Sequence, residues 1–439
     1  MKKPDGGDNP RTAASTSGVA QAIGNGNAPE LSGGPQVQPD GHSHAPGGSP
    51  SNKKRRRNRR RKKQAAGTPP PIFEANNLPS VSPVDQVQVP ARPHGSDKAL
   101  YAALDLGTNN CRLLIATPTK PGQFRVVDAF SRIVRLGEGL GHSGRLSDNA
   151  MQRALQALAV CSEKLDKKVV KRARLIATEA CRSAENGSAF LDRVKEQTGL
   201  DLEVVDRETE ARLAVSGCGS LVDREAEATV LFDIGGGSSE IAVIDLKDPK
   251  RRRLADGIVD WTSLPIGVVT MSEKFGGKHV DAGVFKQMKD YAGELLSDFA
   301  GKHAGIGRHD TSFHLIGTSG TVTTLAGIHL DLPRYDRRRV DGLWINARQV
   351  SDINNRILGW SFGERKANVC IGEDRADLVL AGCAILEAIR EAWPAKRLRV
   401  ADRGLREGLL TEMMSEDGAW KSRRRRSRNR GRRNGPKPS

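Results

Sequence analysis

The apolar residues of this chain fall into short runs divided by turn residues, and their spacing alternates between that of strands and that of helices. LYAALDLG, starting at Leu100, is an apolar run closed by a turn and predicts a buried strand. CRLLIATP reads as its hairpin partner and FRVVDAFSRIVRLG as a third strand. The period then changes. LSDNAMQRALQALAVCSEKLDKK places apolar residues at helical spacing behind Ser147, a residue type that caps helix N-termini. ARLIATEA predicts a strand running into a turn, GSAFLDRVKEQTG a helix, LDLEVVD a strand and RETEARLAVSGCG a helix. A new strand begins in TVLFDIGGGSSEIAVID, and FHLIGTSGTVTTLAGI reads as strand, turn and helix. Strands alternating with helices in this way indicate an α/β fold with a mixed sheet.

The restart is a repeat. ALDLGTNNCRLLIA and LFDIGGGSSEIAVI share one frame: apolar strand, Asp, apolar residue, Gly, polar loop, apolar strand. Asp105 matches Asp233 and Gly107 matches Gly235, at a separation of 128 residues. Two such halves predict a duplicated α/β domain, over 98–213 and 214–415, with a cleft between the copies.

Charge does not follow this pattern. The net charge is +18. Residues 1–97 carry 14 Lys/Arg against 7 Asp/Glu, and residues 421–439 carry 10 Lys/Arg and no acid, which leaves only +1 for the stretch between. Residues 1–97 are rich in Gly, Pro, Ser, Asn and Ala. Such a composition buries too little surface to offset its ordering entropy, so this region is expected to be disordered, as is the tail over 416–439. KKRRRNRRRKK (residues 53–63) and KSRRRRSRNRGRRNGPKPS (residues 421–439) read as solvated tails or as arms for a polyanion, either RNA or another phosphate polymer. The six cysteines are scattered, with no C-x-x-C pair, which suggests neither a zinc site nor a disulfide framework and fits reduced thiols in the cytoplasm. No apolar stretch follows the N-terminal lysines and no run of about 20 apolar residues occurs, so neither a secretory signal nor a membrane span is expected.

The hairpin loops carry the candidate chemistry. Their glycines allow unusual backbone angles and close approach of main-chain N–H groups to an anion. Thr108, Asn109, Ser238 and Ser239 can donate side-chain hydrogen bonds. Asp105, Asp233 and Glu240 are hard oxygen ligands suited to Mg²⁺, directly or through water. Turn geometry alone would explain one such loop; two copies and a third loop argue for a phosphate site. In the third, a strand ending at Gly317, a turn at Gly320 and a helix opened by Thr321 would add a helix N-terminus, which attracts phosphate. Other chemistries fit less well. No G-x-x-x-x-G-K-[ST] is present, and the nine histidines include no H-E-x-x-H. Cys218 and Arg224 have the spacing of a cysteine phosphatase, but Asp223 would sit in the anion cradle, so Cys218 reads as a buried thiol.

These loops have the character of the actin, sugar-kinase and Hsp70 fold, with its paired ribonuclease-H-like domains. Within it, the sequence resembles the exopolyphosphatase / guanosine pentaphosphate phosphohydrolase family. DLGTNNCRLLIA, ATEACRSAEN, ETEARLA, DIGGGSSE, LPIGVV, IGTSGTVTTLA and ADRGLREGLL match in family order over roughly 98–415. The resemblance implies Mg²⁺-dependent hydrolysis of a terminal phosphoanhydride in the cleft between the domains. Carried over by position, it makes Glu210 the general base and Arg182 a phosphate-contacting arginine. Gly107, Thr108, Asn109, Gly235, Gly236, Gly237, Ser238, Gly320 and Thr321 fall on phosphate positions, and Asp105, Asp233 and Glu240 on metal positions. The residues lend Glu210 independent support. On a helix it shares a face with Leu213, Ala214 and Gly217, and partial desolvation there would raise its pKa toward that of a working base. Glu208 faces elsewhere and is spaced to pair with Arg212.

Ser239 stands where the family often has threonine and keeps the hydroxyl. After ADRGLREGLLTEMM the chain runs almost directly into the basic tail, so the further helical domain of long members, which helps them grip polyphosphate and form dimers, is not expected here. The expected function is that of an exopolyphosphatase, with a guanosine pentaphosphate 5′-phosphatase as the alternative and a non-hydrolytic actin-like nucleotide-binding protein as the distant one. A homodimer and tails that tether polyphosphate or RNA remain open partners.

Overall fold

The structure is a computed structural model that describes residues 99–248, 253–306 and 312–420. The basic stretches over 1–97 and 421–439 lie outside the described residues. In the first half, β1 (Leu100–Leu106), β2 (Asn110–Pro118) and β3 (Phe124–Ile133) run antiparallel. After α1 (Leu140–Ser143) and α2 (Asp148–Asp166), β4 (Val170–Ala177) returns parallel to β1. After α3 (Glu179–Ser183) and α4 (Gly187–Thr198), β5 (Glu203–Val204) joins parallel to β4, giving the order β3-β2-β1-β4-β5. Then α5 (Arg207–Cys218) leads to the second half.

There β6 (Ala228–Ile234), β7 (Ser239–Asp245) and β8 (Ile258–Leu264) are again antiparallel. α6 (Val268–Phe275) and α7 (Ala282–Lys302) follow, and β9 (Phe313–Thr318) returns parallel to β6. The chain continues through α8 (Ser319–His329), α9 (Arg337–Val340), β10 (Trp344–Asn346), α10 (Ala347–Leu358), α11 (Phe362–Ala367) and α12 (Val379–Ala392) to β11 (Arg397–Val400), and ends in α13 (Leu405–Glu416). β11 is parallel to β9 and β10 antiparallel to β11, so the order is β10-β11-β9-β6-β7-β8. Without β10 the two sheets have one plan: third, second, first, fourth and fifth strand. The fold is the duplicated α/β fold expected from the repeated frame.

Local signals explain most boundaries. Ser147 caps α2 by accepting the Ala150 N–H at 3.3 Å. The strand expected over LDLEVVD shrinks to two residues, because Asp206 already caps α5 by accepting the Thr209 N–H at 2.7 Å and turns the chain into the helix. Glu208 and Arg212 form no ion pair among the described residues. No described helix is long and apolar enough to cross a membrane.

α5 belongs to both halves, and the boundary expected after residue 213 falls inside it. Leu213 packs in the first half's core with Tyr101, Leu114 and Ile176, whereas Ala214, Val215 and Cys218 pack with Leu231, Ile244 and Ile316 of the second sheet. α13 follows the second sheet in sequence but returns to the first. Its Leu405, Leu409, Leu410, Met413 and Met414 are buried there, each contributing roughly 1.5–3 kcal/mol when fully removed from water. The ordered chain also runs past 415: the Tyr101 hydroxyl donates to Asp417 at 2.9 Å and the Trp420 indole to the Gln123 carbonyl at 3.1 Å.

α5 and α13 meet backbone to backbone. A Cβ on Gly217 would lie 2.1 Å from the Gly404 oxygen, and one on Gly408 would lie 2.1 Å from the Leu213 oxygen. A main-chain clash has no side chain to swing away. Gly408→Ala is therefore expected to destabilise the protein by about 1–3 kcal/mol, read as a lower midpoint in urea denaturation. An unchanged midpoint would mean the helices do not approach this closely.

Candidate active site

The two D-x-G hairpins close in the same way. The Gly107 N–H donates to the Asn110 carbonyl at 2.9 Å and the Gly235 N–H to the Ser238 carbonyl at 3.0 Å. The loops then touch each other across the cleft. A Cβ on Gly236 would lie 2.8 Å from Thr108 Cβ, and one on Gly237 would lie 2.9 Å from Thr108 Oγ1. The glycines serve this approach, and none of those assigned to the site has a positive φ. The unusual backbone angles expected of them do not occur.

The loop carbonyls are occupied from behind. Asn109 O accepts the Val134 and Arg135 N–H groups at 2.9 and 3.0 Å, and Thr108 O accepts Gly137 N–H at 2.9 Å. At the start of α6, the Val268 and Val269 N–H groups donate to Gly235 O and Gly236 O at 2.9 and 2.8 Å. The amides of Thr108, Asn109, Gly236 and Gly237 have no protein acceptor among the described residues. Loops that engage their oxygens and leave their N–H groups unpaired form a cradle for an anion. It lines a cleft of about 330 Å³ that also includes Asp105, Glu210, Asp233, Ser238, Glu240 and Gly320.

The third loop differs in detail from expectation. α8 begins at Ser319, directly after β9, and the left-handed residue is Ser319 (φ 79°) rather than Gly320. Thr318 caps it, accepting the Ser319 N–H at 2.6 Å. Thr321 does not line the main cleft. It packs against α12 at Gly382 and borders an adjoining cavity of about 540 Å³.

Burial and like charge dominate the acids. Asp233 and Glu240 are cross-strand partners on β6 and β7. Burial pushes Asp233 up to about 6, with the Asp105 charge adding to it, and pushes Glu240 up to about 7, with Asp233 adding to it. Burial also raises Asp105. Burial and then the Glu240 charge lift Glu210 well above the usual range, against the pull of Arg182. Glu179 goes the other way. Burial raises it, but Arg207 at 3.0 Å, Ser183 at 2.6 Å and Arg182 together hold it below the ordinary value.

Arg182 is absent from the cleft lining. Its guanidinium donates to Glu210 Oε2 at 3.2 Å, to the Val205 carbonyl at 2.6 Å and to Glu179. Arg182, expected to contact phosphate, thus bridges Glu210 and Glu179, which both line the cleft. Asp105, Asp233 and Glu240 do share the cleft, but among the described residues no three acidic, His or Cys side chains converge on one point as a ready ligand set.

Arg112, Arg375 and Arg406 line the cleft and were not singled out from sequence. Arg112 is the cross-strand partner of Asp105, so it holds in the first half the place that Glu240 holds in the second. Arg375 donates to the Ile371 and Cys370 carbonyls at 3.2 and 3.0 Å, and its charge has no carboxylate partner among the described residues. Arg112 and Arg406 lie inside quoted motifs, where they could have been picked out as cations within a phosphate motif; Arg375 lies in none. Two straps join the halves beside the site. Arg135 forms a two-pronged pair with Asp377 at 2.9 Å, and the Gly139 N–H donates to Glu273 at 2.8 Å.

Comparison with known proteins agrees with this geometry. Residues 115–417 match the model of the Ppx/GppA phosphatase family. A guanosine-5′-triphosphate,3′-diphosphate pyrophosphatase of Photobacterium profundum is 28% identical over 326 residues, which are 72% of this chain and 60% of that protein. The chain thus spans about three fifths of that relative's length. The crystal structure of the Aquifex aeolicus member of the Ppx/GppA family is 28% identical, with a TM-score of 0.59, over 73% of this chain and 98% of that one. An exopolyphosphatase from Cytophaga hutchinsonii is 25% identical, with a TM-score of 0.65, over 72% of this chain and 98% of that one. With the family model covering α5, the second hairpin, the third loop and α13, the chain belongs to the Ppx/GppA phosphatase family.

Proposed function

We propose that this chain hydrolyses the terminal phosphoanhydride of inorganic polyphosphate and releases orthophosphate. The observation that carries the reading is one cleft in which a cradle of unpaired amides faces a half-buried, raised carboxylate, Glu210. The terminal phosphoryl oxygens accept from the amides of Thr108, Asn109, Gly236 and Gly237. Glu210 takes a proton from the attacking water as the water oxygen bonds to phosphorus. The bridging P–O bond breaks, and its electron pair leaves on the shortened chain. Arg182 acts through Glu210 by fixing its Oε2. Catalysis of this kind is mostly positioning and charge neutralisation. A second reading, guanosine pentaphosphate as substrate, is favoured by the relative from Photobacterium profundum.

The donor set fits Mg²⁺. Glu240 is buried, Asp105 and Asp233 are half-buried, Asp105 repels Asp233 and Asp233 repels Glu240, and the lack of a closed cage suits an ion that keeps waters and substrate oxygens among its ligands. Those three residues would hold it, and bound there it would neutralise phosphate charge.

Phosphate release from long polyphosphate and from guanosine pentaphosphate, measured side by side, tests the reading. Glu210→Gln is expected to lower kcat on the order of 10²–10⁴-fold with KM little changed. Release from the guanosine substrate alone would decide for the second reading, and full activity in the variant would remove Glu210 as the base.

The acids also predict a pH effect. Asp233 and Glu240 ionise near 4 in the unfolded chain but only near 6 and 7 in the folded one. Raised carboxyls stabilise the fold below their unfolded pKa, and that stability is lost as pH rises through the folded values. Without metal, stability should fall on the order of 2–4 kcal/mol between pH 5 and 8, and Mg²⁺ should raise Tm more at pH 8 than at pH 5. A flat profile would show that the repulsion is relieved by other means.

A further inference from the structure

We propose that the segment over 334–339 forms a docking rim for the phosphate chain as it leaves the cleft, with Arg334, Arg338 and Arg339 as its contacts. The inference rests on the polyphosphate reading and extends it beyond the terminal phosphate.

The segment is fastened to the cleft wall from both ends. The Tyr335 hydroxyl donates to Asp402 at 2.8 Å, and Arg337 pairs with Glu407 at 2.8 Å. Past α9, Asp341 accepts from Arg403 Nε at 2.7 Å. Tyr335, Asp402, Arg403 and Glu407 all line the cleft. Arg337 is thereby turned inward, while its neighbours Arg338 and Arg339, and Arg334 before Tyr335, are exposed.

These three charges are uncompensated. The acids close to them in sequence are engaged elsewhere: Asp336 caps α9 by accepting the Arg338 N–H at 2.9 Å, Asp341 holds Arg403, and Asp331 pairs with Arg356 at 3.3 Å. Arg334, Arg338 and Arg339 make no ion pair among the described residues. A run of arginines on a surface is often only solvated. Here the stretch between the basic ends carries a net of only +1 over its whole length, yet three cations with no ion pair among the described residues stand within six residues on a segment that borders the cleft through Tyr335. A linear polyanion whose end sits in the cradle must cross the border of the cleft, and guanidinium groups suit its oxygens. Single-stranded RNA would call for several aromatic platforms, and the segment offers Tyr335 alone.

The test uses the full chain and the triple variant Arg334→Gln/Arg338→Gln/Arg339→Gln, which alters exposed side chains only. KM is measured for polyphosphate hundreds of units long and for tripolyphosphate. The variant should raise KM for the long chain about tenfold and flatten its salt dependence by roughly 0.7 in log–log slope per arginine removed, with tripolyphosphate turnover unaffected. Equal effects on both lengths, or none on either, would overturn the rim. Should neither substrate be hydrolysed, the functional reading fails by itself, and the Kd of long polyphosphate for the two proteins still decides: weaker binding in the variant supports the rim, and unchanged binding overturns it. RNA that displaces long polyphosphate at equal phosphate concentration would also overturn it, in favour of a nucleic-acid surface.

Discussion

The close contact of α5 with α13 is the constraint on which the site depends. Gly217 and Gly408 let the two main chains touch, and each helix carries cleft residues: Glu210 on α5, Arg406 and Glu407 on α13. Because α5 packs on both sheets and α13 on the first, this one junction sets where Glu210 stands relative to both hairpin loops. A side chain at either glycine would part the helices and move Glu210 with them. Small displacements of this kind matter in a reaction driven by positioning.

The duplication explains how one cleft comes to carry two opposite fields. The two hairpins share strand order, the turn hydrogen bond and the aspartate. They diverge at one cross-strand position, where Asp105 faces Arg112 and Asp233 faces Glu240. The first loop therefore presents a guanidinium beside its amides, and the second presents a pair of carboxylates. The proposed reading uses both fields, the first toward phosphate oxygens and the second toward a cation, and both belong to one cleft.

Much of this was legible in the sequence, because strand period, helix period and the D-x-G frame are local signals. The hairpins, the Ser147 cap and the two-fold plan follow from them. What was not legible depends on contacts distant in sequence. The return of α13 to the first sheet needs Leu409 and Met413 to find Tyr101, which lies at the other end of the folded chain. The glycines of DIGGG were read as room for an anion at the main chain, but they also serve the approach to Thr108, which no window around 233 contains. Arg375 sits in no motif and enters the cleft only through the fold. Arg182 was assigned to phosphate from its motif, whereas its partners Glu179 and Glu210 come from two different helices.

Stability and function pull against each other in the cleft, and the structure shows where the opposition is borne. Asp105, Glu210, Asp233 and Glu240 have raised pKa values, and Arg112, Arg375 and Arg406 form no ion pair among the described residues; each costs the fold stability. The offset is placed outside it. The Arg135–Asp377 pair and the Gly139–Glu273 bond cross from one half to the other without entering the cradle. Arg135 accepts a left-handed backbone (φ 45°) to make its pair, a conformation a non-glycine residue holds only when its surroundings impose it. Its own N–H is bonded to Asn109 O, so the same residue anchors the first loop and ties it to the segment that carries Arg375. The strap therefore does two jobs with one residue: it fastens one half to the other and keeps the two cationic contributions, Arg112 and Arg375, on the walls of one cleft.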